Sequence, residues 1–412
     1  MRISTIQAFN SGVRGIQDNY SAVTRTQQQV SSGKRMLTPA DDPVASVRLL
    51  QLGQESSKLG QYKDNQVAAK NSLTQQESIL NSVNNVLQRV REIVLEAGNG
   101  ALDAGGRQAL AQELEKREEE LHGLMNSRNA RGEYLFGGSK SDIPPFVRQP
   151  DGSYDYQGDE GQRSIQIASG RMVAINDNGK ELFLDVANIT RLETAGSATG
   201  NGYISFGSVT DEAAFNNTFP HGGAVTITYL EPIDPADPDR PPRYQITDDN
   251  GTVTGDLNPN EDGGYQLNYG GMSVTLSGDL ADGETFTVTN TEKRGVLDTL
   301  RMLRQGLENH DDSPAGKQQR NEMLAVSLQN LDNAMNKVLG VQTDLGARLN
   351  VIESAQLENE EASLINTSVQ AGLEELDYAE ALSRLSMQSV MLEAAQQSFV
   401  KISGLNLFNF LR

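Results

Sequence analysis

The chain has 412 residues, a formal net charge of −20, and neither cysteine nor tryptophan. This length predicts two to four domains, and 37% hydrophobic residues make a wholly disordered chain improbable. The acidic balance argues against nucleic-acid partners and against a polybasic membrane anchor. The absence of cysteine excludes disulfides, thiol nucleophiles and cysteine-ligated zinc.

The two ends of the chain differ in composition from its middle. Residues 1 to about 137 and 293–412 are rich in Gln, Ser, Asn and Leu, whereas the middle is rich in Gly, Asp and Thr. We therefore predict an α+β multidomain fold, in which long antiparallel coiled-coil and helical-bundle arms from both termini flank an inserted β-rich domain. Residues 1–10 carry one cation and no apolar run, so we expect no cleaved secretory signal. No stretch approaches the roughly 18 apolar residues of a membrane span.

The N-terminal arm opens with a heptad pattern. Its apolar residues alternate at spacings of three and four, which predicts one stripe along a helix. The stripe residues are Ile6, Phe9, Val13, Ile16, Tyr20, Val23 and Val30. Gly33 suits a left-handed helix C-cap, and Asp42 followed by Pro43 reads as an N-cap before proline in the first turn. Further helices are predicted over 44–97 and 106–131.

The insert contains short alternating runs with β-branched residues, which predict strands at 163–167, 224–229, 273–276 and 285–288. Asn178-Gly179 and Asn250-Gly251 fit tight hairpin turns. The proline-rich segment 231–242 is predicted to be a loop.

The C-terminal arm is predicted to begin near Val296, to turn at 311–316 and to end in a second apolar stripe. This stripe comprises Leu376, Leu382, Leu385, Leu392, Phe399 and Ile402, and the apolar tail adds Leu405, Leu407 and Phe408. Terminal helices of this kind can pair antiparallel, and so long a stripe exceeds what soluble monomers leave exposed. We therefore predict that both terminal stripes form an assembly interface.

Catalytic, cofactor and metal sites are not expected. The histidines (His122, His221 and His310) are scattered, and no serine elbow or phosphate loop is visible. Asp248-Asp249-Asn250-Gly251 resembles part of a calcium loop, but its spacing favours a hairpin turn. Glu118-Glu119-Glu120 is interpreted as a solvated helix face.

Several motifs, in order and at fitting distances from the termini, resemble the flagellin superfamily. They are Met1-Arg2-Ile3-Ser4-Thr5, Ser31-Ser32-Gly33-Lys34-Arg35, Asp41-Asp42-Pro43-Val44-Ala45, Glu133-Tyr134-Leu135-Phe136-Gly137-Gly138, and the ending from Gln396 to Phe408. Pro43, where filament flagellins usually have alanine, and the Gly137-Gly138 element favour the hook-associated junction proteins of that superfamily. The resemblance covers both arms, about 260 residues.

The resemblance implies a structural subunit that forms a ring at the hook–filament junction of the bacterial flagellum and templates flagellin assembly. It implies an inner terminal domain (1–43 with 373–412), a helical rod domain (44–140 with 293–372) and a β-rich outer domain (141–292). The implied partners are copies of the chain, the neighbouring hook-associated junction protein, flagellin and a flagellar export chaperone. The implied location is extracellular, after type III export without a cleaved signal peptide. A filament flagellin and a secreted adhesin-like binding module remain as alternatives.

Charge is distributed unevenly along the chain. Residues 141–292 hold 24 acidic and 7 basic side chains, a net charge of −17, which leaves −3 for the arms. Nearly neutral arms suit packing against copies of themselves, whereas the acidic insert is expected to stay solvated.

Overall fold

The computed structural model describes most of the chain. The described ranges are 2–100, 102–129, 131–196, 201–219, 222–231, 241–248, 251–260, 263–309 and 313–408. The turn predicted at 311–316, the loop predicted at 231–242, Asn250, His221 and His310 lie wholly or partly outside these ranges.

Seven α-helices span the described part of the chain. They are α1 (Arg2–Ser32), α2 (Pro43–Ala97), α3 (Ala104–Met125), α4 (Glu212–Thr218), α5 (Val296–Asn309), α6 (Pro314–Glu374) and α7 (Tyr378–Phe408). Gly33 has φ +70°, and the Asp42 carboxylate accepts a hydrogen bond from the Ala45 N–H at 3.0 Å. Both predicted caps are therefore confirmed.

The strands lie between α3 and α5, as predicted. They are β1 (Phe146–Arg148), β2 (Tyr154–Tyr156), β3 (Ser164–Ala168), β4 (Arg171–Ala174), β5 (Leu192–Ala195), β6 (Asn201–Ile204), β7 (Ser208–Val209), β8 (Ala224–Leu230), β9 (Arg243–Asp248), β10 (Gly251–Asp256), β11 (Asn258–Pro259), β12 (Tyr265–Tyr269), β13 (Met272–Asp279) and β14 (Thr285–Asn290). The α+β fold class and its order along the chain are confirmed.

Two antiparallel sheets share the core of the insert. Their strand orders are β10-β9-β8-β14-β5 and β11-β12-β13-β6, and β7 also pairs with β13. Inward-facing side chains of both sheets join Phe215 of α4 and Phe219, which follows it, in one buried cluster. β10 lies at the edge of its sheet, pairs with β9 and places no residue in that cluster.

Three local predictions are wrong, two of them because of a contact distant in sequence. α3 ends at Met125, not near 131, because the Asn126 side chain exchanges two hydrogen bonds with the backbone of Phe146 (2.9 and 3.0 Å). Asn178-Gly179 is not a hairpin turn, since the Asn178 side chain caps the π-helical turn Lys180–Leu184. Glu118 is not solvated: it is buried and accepts hydrogen bonds from Tyr154 and Arg304.

The described residues form two compact units. Unit 1 lies within 1–66, 167–170 and 353–412, and unit 2 comprises 67–166 and 171–352. In unit 2 the buried carboxylate of Asp177 accepts hydrogen bonds from Gln76, Gln162 and Arg348, at 2.8, 3.0 and 2.8 Å. This carboxylate thereby links α2 and α6 to the segment that follows β4. The predicted division into three domains remains a prediction.

A tight turn at Gly137-Gly138 precedes the strands. Gly138 has φ +70°, and a Cβ there would overlap the backbone oxygen of Asp159. The Asp159 carboxylate accepts hydrogen bonds from the N–H groups of Ser139 (2.6 Å) and Gly161 (3.0 Å). The hydrogen bond from Ser139 is the main cause of a lowered pKa at Asp159, and the bond from Gly161 lowers it further. The turn therefore requires glycine for both its conformation and its space.

We expect Gly138→Ala to destabilise unit 2 more than Gly132→Ala does. Gly132 also has positive φ (+82°), but a Cβ there meets open space. Gly132→Ala should therefore cost only the left-handed conformation, about 1–2 kcal/mol. Gly138→Ala should exceed it by a further ~1–3 kcal/mol of steric strain. Denaturant unfolding of both variants tests this, and equal losses would contradict the role of the Asp159 contact.

Glu133 should make the stability of unit 2 depend on pH. Hydrogen bonds from Asn129 (2.7 Å) and Arg163 (3.0 Å) lower its pKa below 4.5. A carboxyl whose pKa is depressed by folding stabilises the protein above its unfolded pKa and loses that contribution as the pH falls through the folded value. The difference in unfolding free energy between wild type and Glu133→Gln should shrink as the pH is lowered from about 6 to about 3. A difference that stays constant over that range would contradict this account.

Candidate assembly interface

The terminal helices α1 and α7 pair antiparallel within unit 1, as predicted. The Thr26 hydroxyl donates to the Gln388 side chain at 2.8 Å, and the rings of Phe9 and Phe399 lie 5.1 Å apart. Residues later in α1 therefore contact residues earlier in α7, as in any antiparallel pair of helices. Beyond the end of α1, the Arg35 N–H donates to the Glu374 carbonyl at 2.8 Å.

The predicted stripe residues divide into two sets. Some are half-buried along the α1–α7 pair, and Leu376, just before α7, is buried. The half-buried residues are Val13, Ile16, Val23, Val30, Leu385, Leu392 and Phe399. Phe9, Tyr20 and Leu382 are about half exposed or more. The side chains of Ile6, Ile402, Leu405, Leu407 and Phe408 lie outside the described residues.

The outward side of α7 also carries large apolar residues, among exposed polar ones such as Arg384, Glu393 and Gln397. Its large apolar side chains are 49–67% exposed in the single chain; they are Leu382, Met387, Val390, Met391 and Val400. At 100° per residue, Val390 lies opposite the face that carries Leu385, Leu392 and Phe399. We call these five residues the outer α7 face.

The outward face of α1 is polar by contrast. Its exposed residues include Asn10, Arg14, Gln17, Asp18 and Ser21. Of the two paired helices, α7 therefore leaves more apolar side-chain surface for another molecule to cover.

A second set of exposed apolar side chains in unit 1 was not predicted from the sequence. It comprises Val44, Val47 and Leu50 at the start of α2 and Leu357, Leu364, Ile365 and Val369 near the end of α6. The signal in the sequence is that the apolar repeat from Leu328 to Ile352 is followed by polar residues over 353–363, with Leu357 on a different helix face. We call this set the α2/α6 patch.

The Asp41-Asp42-Pro43 motif organises the link between α1 and α2. The Asp41 carboxylate accepts hydrogen bonds from the N–H groups of Leu37 (2.9 Å) and Thr38 (3.1 Å) and pairs with Arg25 at 2.6 Å. The two backbone hydrogen bonds are the main cause of a lowered pKa at Asp41. Asp42 caps α2 and Pro43 begins it, so each motif residue has a local structural task.

Unit 2 also contains a polar groove. A groove of about 430 Å³ in unit 2 is lined by Arg294, Asp298 and Arg301 among others. Burial raises the pKa of Asp298, and Arg294 donates to the Met302 sulfur at 2.8 Å. Among the described residues, no group of three or more His, Asp or Glu side chains could hold a metal ion.

His122, one of the three scattered histidines, contacts the backbone of Phe146. It is half-buried, and its Nε2 lies 2.9 Å from the Phe146 carbonyl oxygen.

None of the described helices is both long enough and apolar enough to cross a membrane.

Comparison with known proteins places these features in a family. Residues 3–141 match the model of the bacterial flagellin N-terminal helical region. The chain is 23% identical to flagellar hook-associated protein 3 of Escherichia coli over 99% of both chains. It is 31% identical to flagellar hook-associated protein 3 of Salmonella typhimurium over 48% of this chain, and that match spans about three-fifths (61%) of the Salmonella protein.

A solved structure supports the same assignment. The flagellar junction protein FlgL of Legionella pneumophila is 27% identical, with a TM-score of 0.59 over 75% of this chain and 99% of its own. Sequence similarity therefore extends over 99% of the chain, and structural similarity over three quarters of it. This chain is homologous over its full length to flagellar hook-associated protein 3, and its N-terminal third matches the flagellin N-terminal family.

Proposed function

We propose that this chain is a ring-forming structural subunit at the hook–filament junction of the bacterial flagellum, where it templates flagellin assembly. Homology supports the coarser role of a structural junction protein. The observation that carries the finer proposal is the outer α7 face. Five large apolar side chains left exposed on a helix already paired with α1 are explained if further subunits cover them.

The two exposed apolar surfaces of unit 1 suggest how copies associate. The outer α7 face and the α2/α6 patch are different surfaces, so a contact between them would be head-to-tail. Such heterologous contacts close into rings when the rotation between subunits permits it. The proposal therefore has copies of the chain as first partners, with the preceding hook-associated junction protein and flagellin as neighbours on either side.

The insert is proposed to remain outside these contacts. Its net charge of −17 disfavours close packing of neighbouring inserts, whereas the arms are nearly neutral. We propose an extracellular location on the flagellum, reached without a cleaved signal peptide. An export chaperone that covers the terminal helices before assembly completes the proposed set of partners.

Labelled-antibody electron microscopy of intact cells tests the location. A band at the hook tip is expected, and staining along the filament or away from the flagellum would contradict the proposal. Deleting the gene should leave hooks intact while flagellin escapes into the medium. Filaments of normal length on the deletion strain would contradict the templating role.

We expect Val390→Asp to abolish self-association without unfolding the chain. Val390 is 63% exposed, so a carboxylate there is tolerated in the free subunit. In an assembled interface the same charge would be buried without a partner, at a cost of roughly 3–5 kcal/mol. Circular dichroism should be unchanged, whereas sedimentation should show only monomer and filament growth should stop.

Two variants provide controls. Ser21→Asp adds the same charge on the polar outward face of α1 and should leave assembly intact. Leu392→Asp lies on the half-buried side of α7 and should lower helix content in the free chain. Normal filament growth with Val390→Asp would refute the role assigned to the outer α7 face.

A further inference from the structure

The polar groove in unit 2 has the size and the lining of a ligand site. Its volume of about 430 Å³ falls within the ~300–1,000 Å³ that is typical of small-molecule sites. The segment that follows β14, one face of α5 and the start of α6 form its walls, and β5 and Phe206 complete the lining. The groove therefore lies where strands of the insert meet the helices of unit 2.

One buried cation in this groove lacks a carboxylate partner. The Arg294 side chain is only 8% exposed, yet among the described residues its single side-chain hydrogen bond goes to the Met302 sulfur, at 2.8 Å. A guanidinium has several N–H donors in a planar fork, and a thioether is a weak acceptor. Because a buried charge is costly unless it is paired, Arg294 has unused capacity to bind an anion.

Two further side chains of the groove have unused hydrogen-bonding atoms. The Nε of Arg301 is buried without a partner, although its Nη2 pairs with Asp298 at 3.2 Å. The amide oxygen of Gln319 is also buried without a partner, and rotation of that amide would present its NH₂ group instead. Polar groups from α5, from α6 and from the segment after β14 thus remain unsatisfied around one cavity.

The formal charges of the lining leave room for one negative charge. The charged lining residues are Lys293, Arg294, Arg301, Glu193 and Asp298, a net charge of +1. Lys293 also pairs with Asp185 at 3.0 Å, so its ammonium is partly neutralised. Arg294 and Arg301 share a single close carboxylate, that of Asp298, because Glu193 is exposed to solvent. The excess positive charge therefore lies with the two guanidinium groups.

We infer that this groove binds a small monocarboxylate, whose two oxygen atoms accept hydrogen bonds from the free N–H groups of Arg294. The planar guanidinium matches a carboxylate in a bidentate geometry. A doubly charged oxyanion is disfavoured, since its second charge would meet Glu193 and Asp298. Phe206, Met302 and Met323 add apolar surface to the lining, which favours an acid with a short aliphatic chain.

Saturation-transfer NMR of butyrate with the full-length chain tests the site. Butyramide, which has the same shape and no charge, is the ligand control, and sodium chloride keeps the ionic strength constant. We expect a signal from butyrate alone, and we expect Arg294→Gln to weaken binding at least tenfold. Arg148→Gln, at an exposed arginine of β1 outside the groove, is the matched protein control and should bind butyrate as the wild type does. Equal signals from butyrate and butyramide with the wild type would overturn the inference, whatever the variants do.

Thermal unfolding of Arg294→Met gives an independent readout. The variant removes a buried charge that has no carboxylate partner, so it should unfold at a higher temperature than the wild type in butyrate-free buffer. Butyrate should raise the unfolding temperature of the wild type and leave that of Arg294→Met unchanged. A response to butyrate in Arg294→Met equal to that of the wild type would refute the role of this guanidinium.

A carboxylate side chain of a second copy is the other source of the same chemistry. Sedimentation of the wild type and of Arg294→Gln distinguishes the two sources. Unchanged self-association of Arg294→Gln, together with its loss of butyrate binding, supports a free acid as the ligand. Loss of self-association in Arg294→Gln, with no butyrate binding by the wild-type monomer, would overturn the free acid and assign the groove to an acidic side chain of another copy.

Discussion

The antiparallel pairing of the two chain ends is the contact on which the proposed role depends. Residues almost 400 positions apart, such as Phe9 and Phe399, meet because α1 and α7 run in opposite directions. This contact closes only one side of α7. The pairing therefore orders the two terminal helices while leaving the outer α7 face uncovered, so that the free subunit retains apolar surface that only another molecule can bury.

Unit 2 buries its apolar side chains within the single chain. Its helices bury leucine and valine, its sheets share one buried cluster, and the buried Glu118 is paired with Arg304. Unit 1 buries fewer aliphatic side chains and exposes several, among them Leu50, Leu357 and Leu364. The contrast within one chain argues that the composition of unit 1 reflects an environment other than water.

Local patterns in the sequence predicted much of this architecture. Both helix caps and several strands were predictable because their sequence signals lie within a few residues. These signals are Gly33, Asp42 and the alternating runs that form β8 and β14. The failures concern partners far away in sequence: Asn126 stops α3 because the Phe146 backbone meets it, and Glu118 is buried because Arg304 reaches it. Of the interface, the α7 stripe was visible as a heptad. The α2/α6 patch was not, because its apolar residues do not continue the same phase.

The edge strand β10 has an evolutionary consequence. Because it pairs only with β9 among the described strands and places no residue in the shared cluster, its side chains can change at little cost to folding. Its residues are almost all exposed. The strand is therefore a position in the insert where substitutions can accumulate, while residues of the helical arms that make caps and interhelical contacts cannot change so readily.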